Sequence, residues 1–302
     1  MSSNNANIVK VDNILTEARY TLSKLEMDIY FVILSFMSEK DDEKTLYRID
    51  ISEQEKLTGN KWHIRQVREA TKGLLSKVIE FYDYEDNYIQ ASFIEMAKYI
   101  NKKGIIEIKV TQALKPFLLN LKSRYTTFQL VSSLALTSKF AKRIYMLCSQ
   151  WKSTGITRKY KIEELKYMLN LIDTETNKEQ LKNWSQFKEK VLDLSVKQIN
   201  TYTDLKINYR LEKEGKKITH IIFDVEKTDA SQQIIDFSIT EETLALKERI
   251  ISKYKLRKDQ ADKILANNDI PTIKKLLYDI QLKNANGEIK SIGAYSASVF
   301  NV

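Results

Sequence analysis

The chain of 302 residues carries 49 Lys and Arg against 40 Asp and Glu, a net charge of +9, with only 7 Gly and 2 Pro. Its glycines form neither GxGxxG nor GxxxxGK[ST], so no backbone cradle for nucleotide phosphates is expected, which disfavours a nucleotide-driven motor or a dinucleotide dehydrogenase. His63 and His220 lie far apart and Cys148 stands alone, so no metal site, cofactor, redox pair or disulfide is expected, and the reducing cytoplasm is the expected location.

Residues 1–9 are uncharged and no long apolar run follows, so neither a signal peptide nor a membrane span is expected. Leu25, Ile29, Val32, Ile33 and Phe36 then recur at helical spacing and predict an amphipathic helix. Residues 47–51 alternate at period two, predicting a strand, after which Ser52 is expected to cap a helix with Glu55 three positions on. A longer helix is expected over 62–81. Strands 88–99 and Ile105–Val110 flank a turn in which Gly104 supplies positive φ for a hairpin. A helix near 115–122 is expected to join this unit to the next.

The order then repeats. Phe140, Ile144, Leu147 and Trp151 mark a helix, Tyr160-Lys161-Ile162 a strand, and 163–171 a further helix. A longer helix over 185–203 would bury Phe187, Val191, Leu194 and Ile199, and strands 205–211 and 218–225 close the unit around 212–217. The correspondence is also one of residues: Ser23-Lys24 with Ile29-Tyr30 recurs 115 positions later as Ser138-Lys139 with Ile144-Tyr145. Trp62 pairs with Trp184, and Glu69, Leu74, Ile79 and Tyr82 pair with Glu189, Leu194, Ile199 and Tyr202 at a constant offset of 120. Beyond a polar linker at 228–233 the tail reads as helical, with Leu244, Leu246, Ile250, Ile251 and Tyr254 on a first helix. Helices at 259–265 and 271–282 and a short segment opening at Ile292 follow.

Helix, strand, helix, longer helix and hairpin is the order of a winged helix, whose third helix usually enters the major groove while the hairpin touches phosphates. The expected fold class is therefore α+β and helix-rich: two tandem winged helices, 1–133 and 134–227, with a small helical appendage at 228–302. Charge is uneven along this plan. Residues 10–133 carry +1, 134–226 carry +6 and 227–302 carry +2, so the excess sits where a polyanion would be gripped.

Four stretches carry a resemblance. They are Leu22-Ser23-x-x-Glu26-x-x-Ile29-Tyr30, Lys122-Ser123-Arg124-Tyr125-Thr126-Thr127-Phe128, Ser138-Lys139-Phe140-Ala141-Lys142-Arg143-Ile144-Tyr145, and the run from Phe187 through Lys188, Lys190, Val191, Leu194, Lys197 and Asn200 to Asp204-Leu205. In order and spacing, residues 10–226 resemble the iteron-binding replication initiators of theta-replicating plasmids. The resemblance implies a non-enzymatic protein that binds double-stranded origin DNA at direct repeats. Its first winged helix would serve dimerisation or auxiliary DNA contact, and the dimer would repress its own gene. Host initiator ATPase and replicative helicase are implied as partners. A winged-helix transcriptional regulator is the alternative.

On this reading Lys182, Ser185, Gln186, Lys188, Lys190 and Lys197 on the second unit's longer helix face DNA, glutamine suiting adenine and lysine suiting guanine or phosphate. Arg158, Lys159, Lys213, Lys216 and Lys217 are expected as phosphate grips, and Lys139 and Arg143 are assigned to DNA as well. In the first unit Lys61, Arg65, Arg68 and Lys72 line the equivalent helix, with Lys102 and Lys103 on its hairpin. Trp62 and Trp184 read as core anchors, Cys148 as core and His63 as a surface or capping residue. A tyrosine nuclease is disfavoured because two isolated histidines supply neither a metal pair nor an activated tyrosine.

Overall fold

The computed structural model describes residues 8–58, 61–119, 121–173, 175–176, 178–215, 217–228, 241–268, 270–285, 287–289 and 291–302. They fall into two compact units, one on each side of the stretch 229–240.

The larger unit opens with β1 (Ile8–Asp12) and α1 (Asn13–Glu17), capped by the Asp12 carboxylate 2.8 Å from the Ile14 amide. Helix α2 (Lys24–Phe36) starts in a capping box between Ser23 and Glu26. Every residue from Met27 to Leu34 is buried, so α2 is a central helix covered on all sides rather than an amphipathic one. Strand β2 (Tyr47–Asp50) leads into α3 (Ile51–Thr58) and α4 (Ile64–Ser76). The cap of α3 is Asp50, which accepts from the Ser52 amide at 2.8 Å, while Glu55 accepts from the Trp62 amide at 2.8 Å; this corrects the expected Ser52 cap.

The helix expected to reach residue 81 ends at Ser76, and β3 (Val78–Tyr82) pairs instead with β4 (Tyr88–Ser92). Buried Ile79 and Phe81 alternate there with Val78, Glu80 and Tyr82, a period-two pattern that helical phase cannot bury. Buried Phe93 divides the expected strand 88–99, and β5 (Ile94–Ile100) joins β6 (Ile105–Val110) and β2 in an antiparallel sheet of order β2-β6-β5. Between the winged helices the expected helix is replaced by a 3-10 turn over Gln112–Phe117, whose Pro116 disfavours α geometry at Lys115. Then β7 (Tyr125–Gln129) returns to pair antiparallel with β1, and α5 (Leu130–Ala135) follows.

The second winged helix comprises α6 (Lys139–Ser149), β8 (Tyr160–Lys161), α7 (Ile162–Met168), a continuous helical run, and the hairpin β9 (Leu205–Glu214) and β10 (Lys217–Lys227). The helical run is α8 (Trp184–Phe187), a π-helical turn (Lys188–Asp193) and α9 (Leu194–Tyr202). Sheet order is β8-β10-β9.

One hydrophobic core runs through both winged helices, from Phe31 and Phe93 to Tyr145, Phe187 and Phe223, with Cys148 inside it. Charge is buried there too. Lys142 Nζ lies 2.6 Å from Asp28 Oδ1, joining α6 to α2, and neither side chain is exposed.

The smaller unit has its own core, including Leu246, Ile250, Tyr254, Ile264, Ile273, Leu277 and Ile280. Its helices are α10 (Glu241–Tyr254), α11 (Lys258–Asn267), α12 (Ile270–Ala285) and α13 (Ile292–Phe300). Of the expected polar linker, 229–233 lies outside the described residues.

Candidate nucleic-acid interface

The helical run of the second winged helix is seated by Phe187, Val191, Leu192, Ser195 and Ile199, all buried. Leu194, expected inside, is 37% exposed. The π turn accounts for the difference, because one extra residue in the turn rotates everything after it and brings Leu192 and Ser195 inward. Two amides then fasten the run. Gln198 Oε1 accepts from the Thr137 and Ser138 amides at 3.1 Å each, tying it to the head of α6. Asn200 exchanges two hydrogen bonds with the Ile207 backbone at 2.6 and 2.9 Å, tying it to β9.

The opposite face presents exposed Ser185, Gln186, Lys190 and Lys197, preceded by exposed Lys182. Asn183 caps the start by accepting from the Ser185 amide at 2.8 Å, and half-buried Trp184 packs on Phe187 as an anchor. Lys188 is half-exposed and engaged: its Nζ donates to Asp193 at 2.7 Å, and Tyr209 Oη of β9 donates to the same carboxylate at 2.6 Å. Asp193 therefore holds the Lys188 ammonium above its ordinary pKa.

Beside this face the hairpin turns at Gly215, whose φ of +61° suits glycine, with exposed Lys213 and Lys217 near the tip. Lys217 lies 3.1 Å from Glu163 and Lys159 lies 2.5 Å from Glu212, so both cations are in solvent-exposed ion pairs of small individual strength. A cleft of about 720 Å³ opens between α7, β10 and the head of the helical run, lined in part by Lys161, Lys182, Trp184, Lys217 and His220. Lys216 lies outside the described residues.

The first winged helix repeats the plan with less free charge. Lys61, His63, Arg65, Arg68 and Lys72 are exposed at or before α4, and Lys102 and Lys103 stand on a hairpin turned by Gly104 at φ +66°. Lys72 pairs with Glu69 at 3.0 Å, Lys61 with Glu55 at 3.6 Å, and Arg68 lies over the Tyr99 ring at 5.4 Å. Trp62 is buried, as a core anchor should be.

Three further cations assigned to DNA are engaged within the protein. Arg143 is interior: it donates to Ala18 O at 2.7 Å and to Tyr20 Oη, stacked 3.9 Å above the Tyr20 ring. Arg158 bridges Glu17 at 2.8 Å and Glu164 at 2.6 Å, which ties the second winged helix to α1. Lys139 is half-buried and donates to Thr21 at 3.2 Å; burial first, then nearby Lys77, lower its pKa. Each of the three links the second winged helix to residues of the first, and Arg143 is buried outright.

Asp193, Tyr209 and Gln198 carry no sequence signal. A π turn brings positions five apart together, and a 3.6-residue period does not show that pairing. Among the described residues no helix is long and apolar enough to cross a membrane.

Comparison with known proteins matches two adjoining family models, "Initiator Replication protein, WH1" over residues 8–149 and "Initiator Rep protein, WH2" over residues 161–225. A relative from Escherichia coli named "Uncharacterized 27.6 kDa protein" is 26% identical over 231 residues, 71% of this chain and 93% of its own length. The "PI protein" of Escherichia coli is 27% identical over 147 residues, 45% of this chain and 48% of that protein. Among solved structures, "Crystal structure of Pi initiator protein in complex with iteron DNA" superposes with a TM-score of 0.64 at 20% identity, covering 75% of this chain and 99% of that one, and so shares the fold. Two winged helices in tandem, matched in order by both models, place the chain in the Initiator Replication protein family.

Proposed function

We propose that this chain is a plasmid replication initiator that binds directly repeated iterons at an origin through its second winged helix. The observation that carries the reading is the unburied row Gln186, Lys190 and Lys197 beside a wing bearing Lys213 and Lys217, in a chain of the initiator family. Gln186 and the lysines of the helix meet base edges in the major groove, and the wing lysines, Lys159 and Lys182 grip flanking phosphates. The first winged helix, with Arg65, Arg68, Lys102 and Lys103, makes auxiliary contacts or pairs with a second copy. Opening the origin needs no catalytic group in this chain, since host initiator ATPase and replicative helicase are recruited to do that work. As a dimer the protein represses its own gene.

Footprinting on DNA flanking its own gene tests this. Protection of several direct repeats spaced by whole helical turns is the expected result. Protection of one short operator supports a transcriptional regulator instead, and protection of no repeated array refutes the initiator reading. The unit built from α10 to α13 is the candidate for host contact. Truncation at 227 is expected to leave repeat binding intact and abolish plasmid replication, and unchanged replication would sink that assignment.

A further inference from the structure

Asp193 is a carboxylate set among the exposed lysines of the helical run. It ends the π turn, its side chain is 45% exposed, and two groups converge on it from different elements. Lys188 Nζ, from the start of the same turn, stands 2.7 Å from Oδ2, and Tyr209 Oη, from the wing, stands 2.6 Å from Oδ1. The Tyr209 ring is itself seated, edge-on and 6.3 Å from the fully buried Phe223. A fixed chain therefore runs from the core through the wing to the carboxylate and out to the lysine. Partial burial pushes the Asp193 carboxyl up, but the bonds from Lys188 and Tyr209 outweigh it and hold the group below the usual carboxylate range, so it is ionised at neutral pH.

A sequence-independent grip on duplex DNA is a count of cations reaching phosphates, each adding about 0.9 to the salt slope. Lys188 joins that count only by leaving Asp193, which the Tyr209 hydroxyl pins in place, and the carboxylate repels a phosphate that approaches the same spot. We propose that Asp193 is a specificity-determining residue: it withholds Lys188 from generic phosphate and sets the wing against the helix, so that only a well-matched site draws the lysine away. This inference rests on the reading of the surface as DNA-binding.

Asp193→Asn keeps the shape and an acceptor for Tyr209 but releases Lys188. One added phosphate contact at 0.15 M salt corresponds to about fivefold tighter binding of random duplex. The test uses the full chain, titrated by fluorescence anisotropy over a range of KCl with a random-sequence duplex and with a duplex carrying the repeats that flank its gene. Asp193→Asn should bind the random duplex about fivefold tighter with a slope steeper by about one, and discriminate less between the two duplexes. Adding Lys188→Ala should erase that gain. Random-duplex affinity and slope equal to the wild type overturn the inference, as does a gain that survives without Lys188. Asp193→Ser, which also removes the charge, must behave alike, and circular dichroism melting checks that each variant folds. Wild-type protein that binds both duplexes equally defeats the reading of the surface; wild-type discrimination with no change in Asp193→Asn defeats this inference alone.

Discussion

Lys142→Met is the most informative perturbation of the shared core. The Lys142 ammonium and the Asp28 carboxylate are both fully buried, 2.6 Å apart, and the ammonium also donates to Ser133 O. Asp28 would keep only Lys24, which reaches its other oxygen at 2.8 Å from a partly exposed position. Removing one partner of such a pair leaves a buried charge uncompensated and costs about 3–5 kcal/mol. With a urea m-value of about 3 kcal/mol/M, the unfolding midpoint should fall by roughly 1–1.7 M. Adding Asp28→Asn should recover much of the loss, because the double variant no longer buries an unpaired charge.

The same lysine gives a pH signature. Burial, partly countered by Asp28, lowers its pKa from 10.5 to about 8. Between about pH 8 and 10 the unfolded chain therefore binds more protons at this site than the folded one, and stability from this group rises with pH. Lys142→Met should flatten that rise. Urea titrations at several pH values, followed by tryptophan fluorescence, measure both effects. A loss under about 1 kcal/mol, or single-variant losses that simply add in the double variant, would refute the reasoning.

Lys188→Ala combined with Lys190→Ala should weaken repeat binding by about 1–3 kcal/mol per lost base contact, and equal binding in anisotropy would remove the helical run from the readout. Lys213→Ala with Lys217→Ala should instead lower the slope of log K against log salt by about two with little change in sequence preference. Burial pushes the Cys148 thiol well up from its ordinary pKa, so it should react with a thiol reagent only as fast as the chain unfolds; rapid reaction in native buffer would contradict its placement. Gly104→Ala and Gly215→Ala meet open space but hold positive φ, so each should cost about 1 kcal/mol in urea unfolding and no more.

How much was legible follows from where the information sits. The hairpin glycines Gly104 and Gly215 and the aligned Trp62 and Trp184 carry local chemistry, and the structure places the glycines at positive φ and the tryptophans as anchors at the heads of their helices. The offset of 120 holds only for the start of the long helices. Ile79 and Tyr82 lie in β3, whereas Ile199 and Tyr202 lie in α9, because the second run continues past the point where α4 stops. Arg143, Arg158 and Lys139 look like any surface cation in sequence, and their partners Tyr20, Glu17 and Thr21 stand more than a hundred positions away. Long-range burial of charge is invisible to periodicity. The residues of the presented face, Gln186, Lys190 and Lys197, were readable because exposure on a helix is itself periodic.

The pairing of β1 with β7 has a consequence in time. Ile8 meets Gln129, so β1 has no partner until almost the whole first winged helix has been synthesised. Chains emerge at about 5–20 residues per second, so β1 waits on the order of ten seconds for its mate. Even then the first winged helix is unfinished, because Asp28 and Tyr20 gain their partners Lys142 and Arg143 only once α6 has been made. The two winged helices therefore reach their shared core together rather than one after the other.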